Sequence, residues 1–458
     1  MAGFALVGMQ RVPRGSRKVI NGTLNSLFLT RRQWLALAAA PAFADSRADF
    51  TLHIGEITAD LGHGHLVKTL AYNGQVPGPV LRMTEGQTVT IDVVNGTRRP
   101  EMVHWHGFHI PPEVDGAHEE GTPMVQGLDQ RRYSFTAQPS GTRWYHTHAM
   151  AGFDFRIGTY SGQFGMAIVS PRSDPARYDA EVPILLHEWD PYFASDMRMD
   201  VAFRLFSVNG KMLGTGEPVR VRAAQRVLFR MVNASATLRH RLALPGHAFT
   251  VMALDGNAVP TPRKVPVVEL SPGERVDAIV EMATPGVWIL GETDDRQRAA
   301  GAGIAVEYAG ARGTPRWSPP PPHVWDYAAF GDARPAAQAD VRIPLVIEPG
   351  TDGNLWAING RSYPQTDPIL LHRGARNRLV FDNRSSMDHP VHLHRHTMEI
   401  VTSAGKPVSG IGKDVVLVPA HQTVEADVVA RSPGPSLFHC HQQFHMDFGF
   451  MALMRYSA

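Results

Sequence analysis

The sequence holds a single cysteine, Cys440, in 458 residues, so no intrachain disulfide framework can form. Beyond the first 44 residues no apolar run reaches the ~18 residues that a membrane-spanning helix needs. Sustained helical periodicity is scarce. Charge of one sign is not in excess. Lys and Arg number 45 against 43 Asp and Glu, which removes the basic surplus of a nucleic-acid binder. The 18 methionines form no dense run, and Met197 and Met199 are only a pair. Turn formers and histidine are plentiful instead, with 42 Gly, 35 Pro and 22 His. Apolar residues at 43% and charged ones at 19% suit a folded chain with a real core, and the length suits roughly three domains.

The N-terminus reads as an address. Arg31-Arg32 precedes the short apolar run Leu35–Ala40, and Ala42-Phe43-Ala44 has the small-x-small form of a cleavage site. Residues 1–44 resemble a twin-arginine export signal cut after Ala44. The expected mature protein is soluble, periplasmic or secreted, and has no membrane partner.

The remainder repeats. Asn73-Gly74, Asn209-Gly210 and Asn359-Gly360 each lead, through a polar turn, to a strand ending in asparagine: Thr88–Asn95, Arg226–Asn233 and Arg376–Asn383. A Pro-Ser-Gly or Pro-Gly turn then precedes Trp144-Tyr145-His146, Trp288-Ile289-Leu290 and Leu437-Phe438-His439. Two motifs in one order, three times over, indicate three related domains. Alternation in Thr88–Val94 is a strand period with one buried face. The expected fold is all-β, with three Greek-key β-sandwiches at 45–172, 173–312 and 341–458. The Pro-rich stretch 313–340 reads as a connection rather than core. Trp105, Trp144 and Trp288 read as core aromatics, and His63-Gly64-His65 as a solvated loop.

Histidine is concentrated in four tripeptides: His104-Trp105-His106, His146-Thr147-His148, His392-Leu393-His394 and His439-Cys440-His441. Residues i and i+2 of a strand share a face, so each tripeptide presents two imidazoles together. Neutral imidazole binds copper, zinc, iron and nickel. Two pairs fall in the first domain and two in the third, while the middle domain has Arg239-His240-Arg241 and Ile289-Leu290-Gly291 in the matching places. The outer domains would therefore pool eight imidazoles, with the middle one as spacer. By the same parity, Cys440 points away from His439 and His441. His389 lies an odd number of residues from His392, and His445 five beyond Cys440. A His389, Cys440, His445 set has the donors of a blue copper electron-transfer site, joined to the cluster through the Cys440 peptide.

These motifs resemble those of the multicopper oxidases: His104-Trp105-His106-Gly107, Tyr145-His146-Thr147-His148, His389-Pro390-Val391-His392-Leu393-His394 and His439-Cys440-His441 through His445. The resemblance covers nearly the whole mature chain and implies cupredoxin-like domains binding four copper ions. It gives the type 1 copper to His389, Cys440 and His445, and the type 2 copper to His104 and His392. The type 3 pair falls to His106, His146, His148, His394, His439 and His441. It implies one-electron oxidation of a small reducing substrate and four-electron reduction of O₂ to water.

Phe450 stands at the family's axial position and cannot ligate, which should raise the potential. Arg395 replaces a frequent glycine and puts a cation where substrate or copper access is at stake. Asp115 resembles the family's proton-relaying carboxylate, although an aspartate before Gly116 equally fits a turn. Asp447, close to His445, is a second candidate. The absence of a Met-rich insertion favours phenols or aromatic amines, the laccase type, over a cuprous oxidase acting in copper detoxification. A copper-free scaffold would have lost ligands, and none is lost. Met446 and Met451 read as packing.

Overall fold

The computed structural model describes residues 47–173, 178–194, 201–332, 334–350, 354–403 and 405–457. The paired arginines and the apolar run of residues 1–44 lie outside them.

The three asparagine-glycine turns are built alike. Asn73, Asn209 and Asn359 all have φ of 53°, and the following glycines have φ between 71° and 78°, the double left-handed geometry that selects Asn-Gly in tight hairpins. Each asparagine side chain also ties down its incoming strand, accepting from the backbone N–H of His53, Leu185 or Val346. The strand-ending asparagines repeat just as closely. Asn95, Asn233 and Asn383 are buried and donate from Nδ2 to loop carbonyls. Their Oδ1 atoms accept from the backbone N–H of Thr97, Ser235 and Ser385. A buried amide that satisfies the chain on leaving a strand explains why the same residue stops all three.

Among the described residues, three pairs of sheets form around these turns. Two four-stranded sheets, two sheets of six and five strands, and again two of six and five follow one another along the chain. Thr88–Asn95 shows strict alternation of buried and less buried residues and runs parallel to Phe50–Gly62 but antiparallel to Gln130–Thr136. Arg226–Asn233 and Arg376–Asn383 sit between one parallel and one antiparallel neighbour in the same way. Their inner faces carry the cores, among them Ile91 and Val93, Phe229 and Met231, and Leu379 and Phe381. Among the described residues, helix is confined to short turns such as Pro112–Asp115, Asp295–Ala299 and Gln443–Asp447.

The stretch after Gly313 is only partly a connection. Its prolines are irregular, but Tyr327 and Phe330 are buried in the core of the middle and third domains. Trp105 and Trp144 are fully buried, whereas Trp288 is half-buried under the Arg316 guanidinium, 4.1 Å from its ring.

Candidate metal centre

Strand register assembles the histidines. Val103–His106 pairs antiparallel with Gly141–Thr147, which sets His104 opposite His146. His389–Leu393 pairs with Ser436–Cys440, which sets His392 opposite His439. The two ladders meet so that rings from the first and third sandwiches interleave. His104 stacks on His394 with centroids 3.9 Å apart, and His106 stacks on His392 at 3.8 Å. All eight imidazoles are buried. Trp144 stacks on His146 at 4.2 Å and closes one side.

The outer nitrogens fix the tautomers. A carbonyl oxygen can only accept, so the Nδ1–H groups of His104, His392, His146 and His439 donate to the carbonyls of Asp115, Asp414, Thr147 and Cys440 at 2.8–2.9 Å. His394 Nδ1 donates to Asp115 Oδ2 at 2.8 Å, and His106 Nε2 to Asp414 Oδ1 at 3.0 Å. The remaining nitrogens then carry lone pairs, and these face each other. His104 Nε2 lies 3.3 Å from His392 Nε2, His394 Nε2 3.1 Å from His439 Nε2, and His146 Nε2 3.4 Å from His106 Nδ1; His441 Nε2, on a ring whose Nδ1 has no partner, comes within 3.3 Å of the same His106 nitrogen. Burial, with neighbouring imidazoles adding, holds His106, His146, His148, His394, His439 and His441 well below the usual histidine range. Neutral rings with converging lone pairs repel unless a cation lies between them. Donor nitrogens fixed by second hydrogen bonds are what metal-ligating histidines require. The arrangement fits metal ions.

Cys440 faces the other way. Its Sγ lies 3.7 Å from His389 Nδ1 and 3.6 Å from His445 Nδ1, and the two nitrogens are 3.2 Å apart. Burial pushes the thiol up and holds His389 down at about 3, so a bound cation would be needed to draw the thiolate out. Ser385 Oγ accepts from His389 Nε2–H at 2.9 Å, leaving Nδ1 for the centre. Phe450 is fully buried, its ring 5.0 Å from that of His389. Trp356 packs on both histidines, at 4.4 and 4.5 Å; nothing near it in sequence marks it for this position.

Asp115 lies at the cluster. Besides His394, its Oδ2 is 3.2 Å from His104 Nδ1. Beside it sits Glu120, which no sequence motif marks. Glu120 is buried, 3.4 Å from His394 Nδ1, and burial together with Asp115 holds its carboxyl well above the usual range. Asp447 is one residue removed. It accepts from the Ala151 and Gly152 amides and from Gln443 Nε2 at 2.7–2.9 Å. Gln443 in turn lines a narrow gap with His146, His148, His439 and His441. Burial raises Asp447 to about 6.

Asp414 is the other group that sequence reading misses. Arg275 of the middle domain grips both its oxygens, at 2.5 and 2.6 Å. Asp255 accepts from the Asp414 and Val415 amides and pairs with Lys413 at 3.0 Å. No motif marks these residues, because their role arises only where three domains meet. Arg395 is held among loops of the first and third domains. It has a left-handed φ of 63°, which explains a glycine at such a position. Its buried guanidinium donates to the carbonyls of Ile110, Ser432, Pro433 and Pro435 and to Ser436 Oγ. It clamps these loops together. Met446 and Met451 are buried with Ala117 and Leu437. His63 reaches the Leu213 carbonyl at 3.0 Å.

A cleft of about 330 Å³ opens over His445, walled by Val201, Thr237, Leu238, Met387 and Phe444. Beside it, Phe153, 60% exposed, lies 4.8 Å from Phe448 and 5.8 Å from Phe444 in an aromatic shelf. Met197 and Met199 fall outside the described residues.

Multicopper oxidase sequence profiles match residues 53–174, 187–309 and 338–458. Multicopper oxidase MmcO of Mycobacterium tuberculosis is 29% identical over 439 residues, covering 87% of this chain and 84% of that one. Copper resistance protein A of Pseudomonas syringae pv. tomato is 23% identical, covering 95% of this chain and 97% of that one. In fold, the chain is similar to the laccase from Botrytis aclada, with a TM-score of 0.77, 20% identity and coverage of 88% and 87%. The chain belongs to the multicopper oxidases, oxidoreductases that use O₂ and a reducing substrate. Copper is the metal that this membership implies.

Proposed function

We propose that this chain is a laccase-like oxidase, exported to the periplasm or secreted, which takes single electrons from phenols or aromatic amines and reduces O₂ to water. His389, Cys440 and His445 would hold a type 1 copper, and His104 and His392 a type 2 copper. His106, His146, His148, His394, His439 and His441 would hold a type 3 pair. Bound copper supplies the one-electron steps and the O₂ chemistry.

One observation carries the reading. The Cys440 side chain belongs to one group of donors, while the residues on either side of it, His439 and His441, belong to the other. A single strand end therefore joins a mononuclear donor set beneath a cleft to a buried eight-histidine cluster. That is the layout needed when a donor is oxidised in one place and O₂ reduced in another. Forming two waters from O₂ consumes four protons along with four electrons. Asp115 and Glu120 hold carboxyl groups against His394, and Asp447 reaches the cluster through Gln443.

The donor class rests on the cleft. Its walls are mostly apolar and the adjoining shelf is phenylalanine, which suits a flat aromatic ring. Phe450 offers no donor atom to the type 1 site. The loss of an axial ligand disfavours the oxidised metal and raises its potential, widening the range of oxidisable phenols. A metal-ion oxidase is the second reading. Met387, a soft sulfur donor, lines the same cleft, and a relative is named for copper resistance.

Oxygen uptake by the copper-loaded protein, with a methoxyphenol in one cell and Cu(I) in the other, separates the two. Cys440→Ser serves as blank. Faster uptake with the phenol is expected; faster uptake with Cu(I) establishes the metal-ion reading instead. For export, the expected result is a mature chain starting after Ala44 outside the cytoplasm. Finding it in the cytoplasm with residues 1–44 intact contradicts that part.

A further inference from the structure

The middle domain contributes no histidine pair to the cluster, yet it keeps the frame of the His389–Cys440–His445 site. In the third domain, Asn383 ends a strand, and Ser385 Oγ meets His389 Nε2 at 2.9 Å. In the middle domain, Asn233 ends the strand, and Ser235 Oγ meets His240 Nε2 at the same 2.9 Å. Val391, two residues past His389, is the ladder partner of Cys440. Leu242, two residues past His240, is the ladder partner of Glu292. The turns that follow agree bond for bond. Cys440 N–H donates to the Phe450 carbonyl and Phe450 N–H to that of His445. Glu292 N–H donates to the Ala302 carbonyl and Ala302 N–H to that of Gln297. A short helix begins three residues after each, at Gln443 and at Asp295. Glu292 thus occupies the place of Cys440, Gln297 that of His445, and Ala302 that of Phe450.

The donors have changed accordingly. His240 Nδ1, which corresponds to the nitrogen that faces Cys440 in the third domain, lies 3.1 Å from Glu292 Oε2. Glu188, from the strand Ala180–Phe193, adds Oε1 at 3.5 Å from His240 Nε2. Glu292 Oε2 accepts from His240 and the Arg241 amide, and Oε1 from the Thr293 amide and hydroxyl and the Asp294 amide, which occupies the carboxylate's acceptor sites. Burial alone would lower His240, but the two carboxylates overcome it and raise it to about 9. The other ionisable neighbours are His187, which burial holds low, Tyr160, which burial holds high, and Arg298, whose Nη1 donates to the Glu292 carbonyl at 2.7 Å.

This ion triad holds one segment. Residues 234–239 leave the Asn233 strand, and the triad and its neighbours supply several of the segment's anchors, beside Asn233, whose Nδ2 donates to the Leu238 carbonyl at 2.8 Å, and Arg239, which pairs with Glu269 and Asp388. Ala234 O accepts from His187 Nδ1–H at 2.9 Å, Ser235 is bound to His240, and Leu238 N–H donates to Glu188 Oε1 at 3.3 Å. The same segment crosses to the third domain, where Ala236 O accepts from Gln443 N–H at 2.9 Å. Thr237 and Leu238 form its face on the cleft over His445.

We propose that His240, ion-paired to Glu188 and Glu292, is a metal-free counterpart of the His389–Cys440–His445 site and a positioning residue that fixes the 234–239 wall of the donor cleft. The inference rests on the reading that donors react in that cleft. His240 touches no donor; it acts through Leu238 and Thr237, so its effect belongs in donor affinity and selectivity rather than in the metal sites.

The test compares His240→Gln and Glu188→Gln with the parent in two ways. In the copper-free proteins, amide exchange across residues 235–239 should speed up at least about tenfold in both variants. In the copper-loaded proteins, KM for a methoxyphenol should rise about three- to tenfold with kcat within about twofold, while blue absorption and copper content stay at the parent's values. Folded variants with unchanged exchange and unchanged KM overturn the inference, as does a loss that falls on kcat or on the blue absorption. Should His240→Gln fail to fold, Glu188→Gln, which keeps the shape and removes only the charge, decides by the same two readouts. A parent without blue absorption is a failure of the copper assignment, and it is seen before any variant is compared. The exchange result then still decides whether His240 holds the segment.

Discussion

Asp115 and Glu120 share one edge of the histidine cluster. One touches His394 and His104, and the other is held above the usual carboxyl range by burial and by Asp115. Two buried carboxyls in contact cannot both ionise cheaply, so the pair retains a proton next to the donor nitrogens. Asp115→Asn is expected to slow O₂-driven reoxidation about 100-fold, within the span of general acid–base effects. Glu120→Gln, which keeps the acceptor for the Leu437 amide, is expected to slow it about tenfold. Anaerobic bleaching of the blue absorption by a phenol should be unaffected in both. Stopped-flow measurement of the two half-reactions checks this, and equal slowing of both halves would count against a proton role. Residues of this kind are invisible in sequence, because neither Glu120 nor Asp414 belongs to a motif or a repeat. Cys440 was legible because a strand has a period of two, so the residue between two clustered histidines must face elsewhere.

Elements carry the repeat, and the repeat explains why so much was legible at this scale. A left-handed Asn-Gly turn and a buried strand-ending asparagine are local devices, so they leave a local signature. Partner carboxylates come from other strands and leave none. The His240 triad shows the contrast, since Ser235 and His240 are near in sequence, but Glu188 and Glu292 arrive from two further strands. It also gives the element a pH signature. A histidine raised from 6.5 to about 9 on folding contributes stability that is fully present below about 6.5 and is lost as pH rises through about 9. The urea midpoint should therefore fall between about pH 7 and pH 10, and His240→Gln should flatten that fall. An unchanged slope in the variant would assign the loss to other groups.

At the scale of the molecule, the eight-histidine cluster exists only where the first and third domains meet, and the middle domain holds them there. Arg275 reaches from the middle domain to both oxygens of Asp414, and Asp414 receives the His106 N–H from the first. All three residues are buried, so removing one partner strands a charge. Arg275→Ala is expected to cost about 3–5 kcal/mol and to lower copper occupancy of the cluster before that of the Cys440 site. Thermal unfolding followed by copper analysis checks both. Sequence spacing could foresee that the outer domains pool their histidines, but not the ionic bracket that holds them in register, since its members lie on three separate domains.

The most direct test of the account is copper content and blue absorption in the loaded parent and in Cys440→Ser. Separate donor sets joined at one strand end predict a blue parent with four coppers per chain. The variant should be colourless and inactive toward phenols, with its fold and three cluster coppers retained. A variant that stays blue, or a parent that binds copper without turning blue, would contradict the assignment of Cys440, His389 and His445 to one site.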